Sequence, residues 1–349
     1  MNTVLTPAGS RVIARLICLI AVALGASGAV AAPPEGDEPG ADRLPDTLRS
    51  TLEALGASAG VADGFGYMWS PRAAVRRQNA TMGLSNYQFG LTVPLESDAD
   101  HLLFANGSMQ ALDIRTNAIL PTDRVRFPRS LWDVQAGGGY VGQLDGGWSW
   151  GATVNIGTAS DKPFHSLSEA TLSALAFVRR PQGESNAWLF YVASISNGQL
   201  GRNIPVPGVA YEYHTDNLNA VIGFPFVTLD YRPTREWQFE FNYAALTDVL
   251  ARGTYHLTSA ARLYNSFEWT NQAWFRAARR NKNDQLFRYE KRVLAGFGWQ
   301  LAERVDFTFA YGYAFDRLFV ENSGFGFSGR NRTDIAPARF LAVQFELKY

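Results

Sequence analysis

The chain has 349 residues, of which 18% are charged, and its 32 basic and 32 acidic side chains give a net charge of zero. This balance excludes the concentrated basic footprint of a nucleic-acid-binding protein, so we expect no nucleic acid partner. The single cysteine, Cys18, lies near the amino terminus, so the rest of the chain can hold no disulfide and no cysteine metal site.

The first 31 residues have the pattern of a secretory signal peptide. Arg11 and Arg15 precede the apolar run LICLIAVALGASGAVA, which ends in small residues suited to cleavage. An uncleaved anchor is the alternative, although the run is shorter than the ~20 residues that a spanning helix needs. Residues 32–60 are acidic and rich in proline and glycine, which predicts a disordered periplasmic linker. The uniform texture of residues 61–349 predicts one domain.

Apolar and polar residues alternate repeatedly along this domain. Such a period of two is typical of half-buried strands, and no stretch is apolar enough for a transmembrane helix. The alternation predicts twelve strands, at residues 64–70, 82–95, 101–115, 131–143, 148–159, 171–180, 187–197, 206–214, 236–247, 286–301, 305–316 and 338–349. A short hairpin folded about Pro225 would make fourteen.

The connections between these strands differ in length in an ordered way. Short turns such as 144–147 and 302–304 take turns with long connections such as 116–130 and 249–285. Tryptophans cluster next to the short turns, as expected of an aromatic belt at a membrane interface. These features predict an all-β transmembrane antiparallel barrel in a bacterial outer membrane, with short periplasmic turns and long external loops. A soluble β-sandwich is the alternative.

The carboxyl-terminal segment FLAVQFELKY is predicted to be the last barrel strand. Its apolar side chains recur at every second residue and end with Phe345, Leu347 and Tyr349. Pairing with the first strand would leave no unpaired edge in lipid, where free backbone groups are costly. This ending resembles the C-terminal recognition signal of bacterial outer-membrane proteins. The resemblance implies that the barrel assembly machinery is a partner, together with outer-membrane lipids and lipopolysaccharide.

The order of the segments YEY, FPFVTLDYRPTREWQFEF and GTY resembles a family of predicted bacterial outer-membrane barrels of unknown function. The resemblance spans most of residues 61–349 through loose motifs. It implies an architecture and not a chemistry.

The face opposite the apolar one is predicted to line a lumen, because its residues are small or polar. The candidate lumen-lining residues are Glu240, Arg292, Gln300, Asp306, Thr308 and Glu346.

One long connection, residues 266–292, is unusual in combining aromatic and basic residues. It is predicted either to fold into the lumen as a plug or to contact lipid headgroups, since arginine pairs well with phosphate. Solvated charges on a simple loop are the alternative. The candidates are Trp269, Trp274, Arg276, Arg279, Arg280 and Lys282.

No residue set predicts catalysis or a metal site. The stretch SISNG, with Ser196, resembles the active-site stretch of outer-membrane phospholipase A and lipid A deacylases, but Ser194 stands where those enzymes have a histidine. The histidines are isolated from one another and from carboxylate pairs. We therefore expect no enzyme, no cofactor and no metal. The leading hypothesis is a passive pore or small-solute transporter. The alternatives are a structural or surface-binding barrel, or a lipid-acting hydrolase.

Overall fold

The computed structural model describes residues 63–98, 100–183, 185–198, 201–244 and 248–347. The predicted signal peptide and linker, together with Tyr349 of the predicted assembly signal, lie outside these residues. Within them, no helix is long and apolar enough to cross a membrane.

Sixteen antiparallel strands form the domain. They are β1 (Gly64–Val75), β2 (Ala80–Ser97), β3 (His101–Thr116), β4 (Ser130–Leu144), β5 (Trp148–Ser160), β6 (Ala170–Gln182), β7 (Asn186–Ile195), β8 (Pro205–His214), β9 (Leu218–Phe224), β10 (Phe226–Tyr231), β11 (Trp237–Ala244), β12 (Asp248–His256), β13 (Ala261–Trp274), β14 (Gln285–Ala302), β15 (Val305–Asn322) and β16, which runs in two segments, Arg330–Ile335 and Ala338–Leu347.

The sheet closes into a barrel because the last strand pairs with the first. Tyr67 of β1 lies opposite Val343 of β16 on one side and opposite Tyr87 of β2 on the other. Every strand therefore has two hydrogen-bonded neighbours, and no edge remains open. The predicted closed antiparallel barrel is confirmed.

The predicted strand count of twelve or fourteen is wrong. The hairpin about Pro225 is present as β9 and β10, which accounts for fourteen strands. The remaining two are β12 and β13, which occupy most of the predicted long connection 249–285. Their apolar pattern is weak because polar residues such as Asn265 stand on the same face as Leu263 and Phe267.

The two ends of the barrel differ in their connections. At the short-turn end, connections of two to five residues join the strands, at residues 98–100, 145–147, 183–185, 215–217, 232–236, 257–260 and 303–304. The long-loop end carries the longest connections, at residues 117–129, 161–169, 196–204, 275–284 and 323–329.

The outer face of the barrel is apolar and exposed. In β15, Phe309, Tyr311 and Tyr313 are each more than two-fifths exposed, whereas Ala310 and Ala314 between them are buried. The alternation follows from the period of two in a strand. Tryptophans 148, 150, 188, 237 and 299 all lie on this exposed face near the short-turn end. This is the arrangement of an aromatic belt around a membrane barrel.

Candidate functional site: a lumen closed at one end

The six predicted lumen residues lie on the inner face of the barrel. Thr308 and Asp306 of β15 pair with Gln344 and Glu346 of β16, and Gln300 of β14 lies opposite Asp306. Farther around the wall, Glu240 of β11 and Arg292 of β14 also point inward, where their ion-pair partners meet them.

Charged side chains in the half near the short-turn end are partly accessible. Arg252 lies 3.8 Å from Glu240, and Arg262 lies 3.2 Å from Asp306. The Arg252 and Arg262 side chains keep 35% and 23% of their surface exposed. Accessible charge on an inward face means that this half of the lumen has room for solvent.

Toward the long-loop end the inner charges are packed together. The Glu290 carboxylate accepts hydrogen bonds from Arg292 Nε at 2.6 Å, Arg317 Nε at 2.8 Å and Arg288 Nη2 at 2.9 Å. The Arg317 and Arg288 side chains are only 1% and 3% exposed. Three guanidinium groups on one buried carboxylate leave little mobile charge, because each group holds the others in place.

The small residues of the lumen wall do not simply leave empty space. The Tyr264 ring of β13 lies against Gly296 of β14, and the Phe340 ring of β16 lies against Gly312 of β15, so that a Cβ at either glycine would collide with a ring. These glycines therefore admit aromatic rings from neighbouring strands. Sequence reasoning read the same glycines as room for water, since it could not see which side chain covers them.

Opposite walls of the barrel meet at the long-loop end. β5 and β13 are eight strands apart in a ring of sixteen, yet Ser160 forms a parallel bridge with Phe275, whose amide donates to Ala159 O at 2.8 Å. The amide of Ala277 also donates to Asp161 Oδ1 at 2.7 Å. Residues 275–284, here called the mouth strap, thus cross the opening of the barrel.

A short hairpin also folds into this opening. In the mouth hairpin, residues 119–126, Ile119–Leu120 pairs with Val125–Arg126. Leu120 and the adjoining Phe127 are buried, and the Phe127 ring lies 5.0 Å from that of Phe319 on β15. Leu120 and Phe127 belong to an apolar cluster that extends from Leu112 on β3 to Trp274 on β13, so it fills the barrel from wall to wall.

The six plug or headgroup candidates fall into three groups. Trp269 is a strand residue that stacks on Phe327 of the 323–329 loop and carries Lys291 over its ring, so it lies on the outer face and is no plug residue. Trp274 ends β13 and packs inward. The other four belong to the mouth strap: Arg276 and Arg279 are buried, whereas Arg280 and Lys282 are exposed.

Two ion-pair clusters tie the strap to the rest of the mouth. Arg276 contacts Asp123 of the mouth hairpin and Glu321 of β15. Arg279 Nη2 donates to Ser168 O at 2.6 Å and Nη1 lies 3.5 Å from Glu169. No sequence signal announces these pairs, because the partners are more than 40 residues apart.

The acidic partners are held in their charged form. Burial by itself would raise the pKa of Asp123, but hydrogen bonds from Asn331 and Arg276 and the charge of Arg276 outweigh it, so its pKa lies below the usual value. The pKa of Glu169 is lowered in the same way, where hydrogen bonds from Ser168 and Ser166 outweigh the effect of burial. Both carboxylates are therefore ionised at neutral pH.

The residues considered for chemistry take structural roles. Ser196 Oγ accepts from the Leu172 amide at 2.8 Å and lies 2.9 Å from its carbonyl and 2.7 Å from Asn203 Oδ1. These contacts tie the 196–204 loop to β6. Within the described ranges no group of three metal-ligating side chains is present.

No family model matches the chain, and no curated protein matches it in sequence. Three solved structures are similar to it: the β domain of the Bordetella autotransporter BrkA (10% identity, 82% of this chain, 99% of that chain, TM-score 0.30), an outer-membrane channel from Pseudomonas putida F1 (9%, 90%, 100%, 0.34) and OmpT, an outer-membrane protein of Vibrio cholerae (10%, 82%, 97%, 0.26). TM-scores below 0.5 are too low to support an inference about function. The predicted resemblance to bacterial outer-membrane barrels is confirmed as an architecture.

Proposed function

We propose that this chain is an integral barrel of a bacterial outer membrane, with the short-turn end in the periplasm and the long-loop end outside. The exposed apolar face and the tryptophans near the short turns support this placement. Membrane lipids, including lipopolysaccharide, would surround the barrel, and the barrel assembly machinery would insert it.

We further propose that the barrel is a passive pore for small polar or charged solutes whose external mouth is closed in this conformation. The observation that carries the proposal is the contrast between the two halves of the lumen. Inner charges are accessible near the periplasmic end, while the mouth strap bridges opposite walls at the external end. Passage would require the strap and the mouth hairpin to move apart. Ser196 has no catalytic role in this proposal.

The test is conductance in planar bilayers before and after removal of the mouth strap. We expect the intact chain to give small or intermittent currents, and a variant in which a short Gly-Ser linker replaces residues 275–284 to give larger, steadier ones. A matched control replaces the periplasmic turn 232–235 with the same linker and should leave the current unchanged. Both variants should fold, as shown by a heat-dependent shift in electrophoretic mobility.

A structural or surface-binding barrel is the second candidate, favoured by the apolar cluster that fills the mouth from wall to wall. If the strap variant is folded and inserted but passes no ions, the lumen is packed throughout. The pore proposal should then be abandoned for this second role.

A further inference from the structure

A groove lies on the outer face of β1, β2 and β3 near the external end. Its cavity of about 670 Å³ is bordered by three arginines and by smaller polar residues. The lining residues used in the argument are Arg72, Thr81, Asp113, Arg115 and Arg129.

The floor of the groove is made by small residues of β2. Gly83 lies opposite Arg115 of β3, and a Cβ at Gly83 would come within 3.1 Å of Arg72 Cγ. Ser85 is the next residue on the same face and is buried between its larger neighbours. Small residues in β2 therefore let the two arginine side chains stand on either side of a recess.

The positive charge of this recess is not neutralised by neighbouring acids. Arg72, Arg115 and Arg129 are exposed, and among the described residues none forms an ion pair or a side-chain hydrogen bond. Asp113 is the one carboxylate in the lining, against three guanidinium groups. Because the whole chain is neutral, this is a local concentration of positive charge.

The groove also lies at a defined height on the barrel. On the same face and toward the periplasm, the rings of Tyr67 and Tyr87 are 5.0 Å apart, next to the exposed ring of Trp69. Gly83 is four residues from Tyr87 along β2, a distance of roughly 13 Å at the rise of a strand. Aromatic side chains mark the membrane interface, so the arginines lie at the level of lipid phosphates or just above.

We propose that this groove binds the phosphate group of a membrane lipid in the external leaflet. Arginine presents a planar fork of donors that matches phosphate oxygens, and three such groups around one recess can hold one phosphate from several sides. The acyl chains of the lipid would run over Tyr67, Tyr87 and Trp69. The inference rests on the proposed membrane location, and not on the pore.

The experiment measures binding of short-chain phosphatidic acid to the detergent-solubilised full chain. Phosphatidylcholine of the same chain length and inorganic phosphate serve as comparison ligands. We expect phosphatidic acid to bind at least about tenfold more tightly than either, and the triple variant Arg72→Gln, Arg115→Gln, Arg129→Gln to lose at least about tenfold in affinity. The matched control changes three arginines near the periplasmic end, Arg180→Gln, Arg235→Gln and Arg304→Gln, and should change affinity less than about twofold.

A second variant, Gly83→Leu, keeps every charge but fills the recess, so it too should weaken binding of phosphatidic acid. Equal losses in the two triple variants would show attraction by net charge alone and overturn the site. Equal affinity for inorganic phosphate and phosphatidic acid, or no binding, would overturn it as well. Insertion into vesicles, measured separately by resistance to carbonate extraction, decides whether the proposed membrane location itself fails.

Discussion

Neighbouring residues of the terminal strands face opposite sides of the barrel wall. Phe345 lies on the outer face, 5.1 Å from the ring of Phe307, whereas Gln344 points inward and donates to Glu346 Oε1 at 3.2 Å. Phe345 is two residues from the end of β16, near the periplasmic interface. Phe309, which lies opposite Val343, is farther up the same face. An arginine should therefore be tolerated very differently at these three positions.

We predict that Phe309→Arg lowers the free energy of unfolding by about 2 to 4 kcal/mol, because it places a charge in lipid near the middle of the bilayer. Phe345→Arg should cost about 0 to 1 kcal/mol, since charge near the interface reaches water. Gln344→Arg should cost similarly little because it faces the lumen. Urea titration in lipid vesicles measures all three. Equal damage from Phe309→Arg and Gln344→Arg would contradict the assignment of faces.

At the scale of elements, sequence reasoning found the strands with a clean period of two and missed those without one. β14 and β15 were found because apolar residues occupy every outward position through the membrane. β13 was missed because Asn271 lies outward beside Ala273. Ala273 packs in an apolar cluster with Phe287, Tyr289 and Phe325 of the 323–329 loop instead of facing lipid. The outer part of a long strand has no lipid to face, so its pattern follows loop packing.

The mouth of the barrel could not be predicted for a different reason. Its bridge joins Ser160 to Phe275, and its ion pair joins Asp123 to Arg276. Each contact depends on where distant loops lie once the barrel has closed, and no local pattern records that. The sequence did indicate a basic, aromatic segment suited to filling a lumen, and residues 275–284 do cross the opening.

The mouth hairpin should be sensitive to acid. Folding lowers the pKa of Asp123, so the stability from its ion pairs is fully present above the unfolded value of about 3.9 and is lost as pH falls through the lower folded value. We predict that bilayer conductance rises as pH is lowered below about 4. Asp123→Asn should raise conductance at pH 7 and flatten this response. A conductance that is the same from pH 7 to pH 3, or unchanged in the variant, would contradict the prediction.

On the scale of the whole molecule, charge is distributed unevenly between the external surface and the lumen. Exposed arginines gather on the outside of the barrel near β1 to β4, at positions 72, 76, 77, 115, 124, 126 and 129. Carboxylates outnumber arginines on the inner wall of the periplasmic half, where Asp230, Glu240, Asp306 and Glu346 face Arg252 and Arg262. Electrostatic potential along the lumen, rather than the net charge of zero, should set which ions pass.

This distribution predicts the ion selectivity of the opened barrel. Four carboxylates against two guanidinium groups should make the strap variant prefer cations, although the exposed external surface is basic. The reversal potential across a bilayer with unequal potassium chloride on its two sides measures this preference. Glu240→Gln with Glu346→Gln should reduce it, because both side chains are partly exposed to the lumen. The matched pair Glu96→Gln and Glu303→Gln, in periplasmic turns, removes the same charge outside the lumen and should change it less. Anion preference in the strap variant would show that the external arginines control permeation, and the narrowest part of the path would then lie at the mouth.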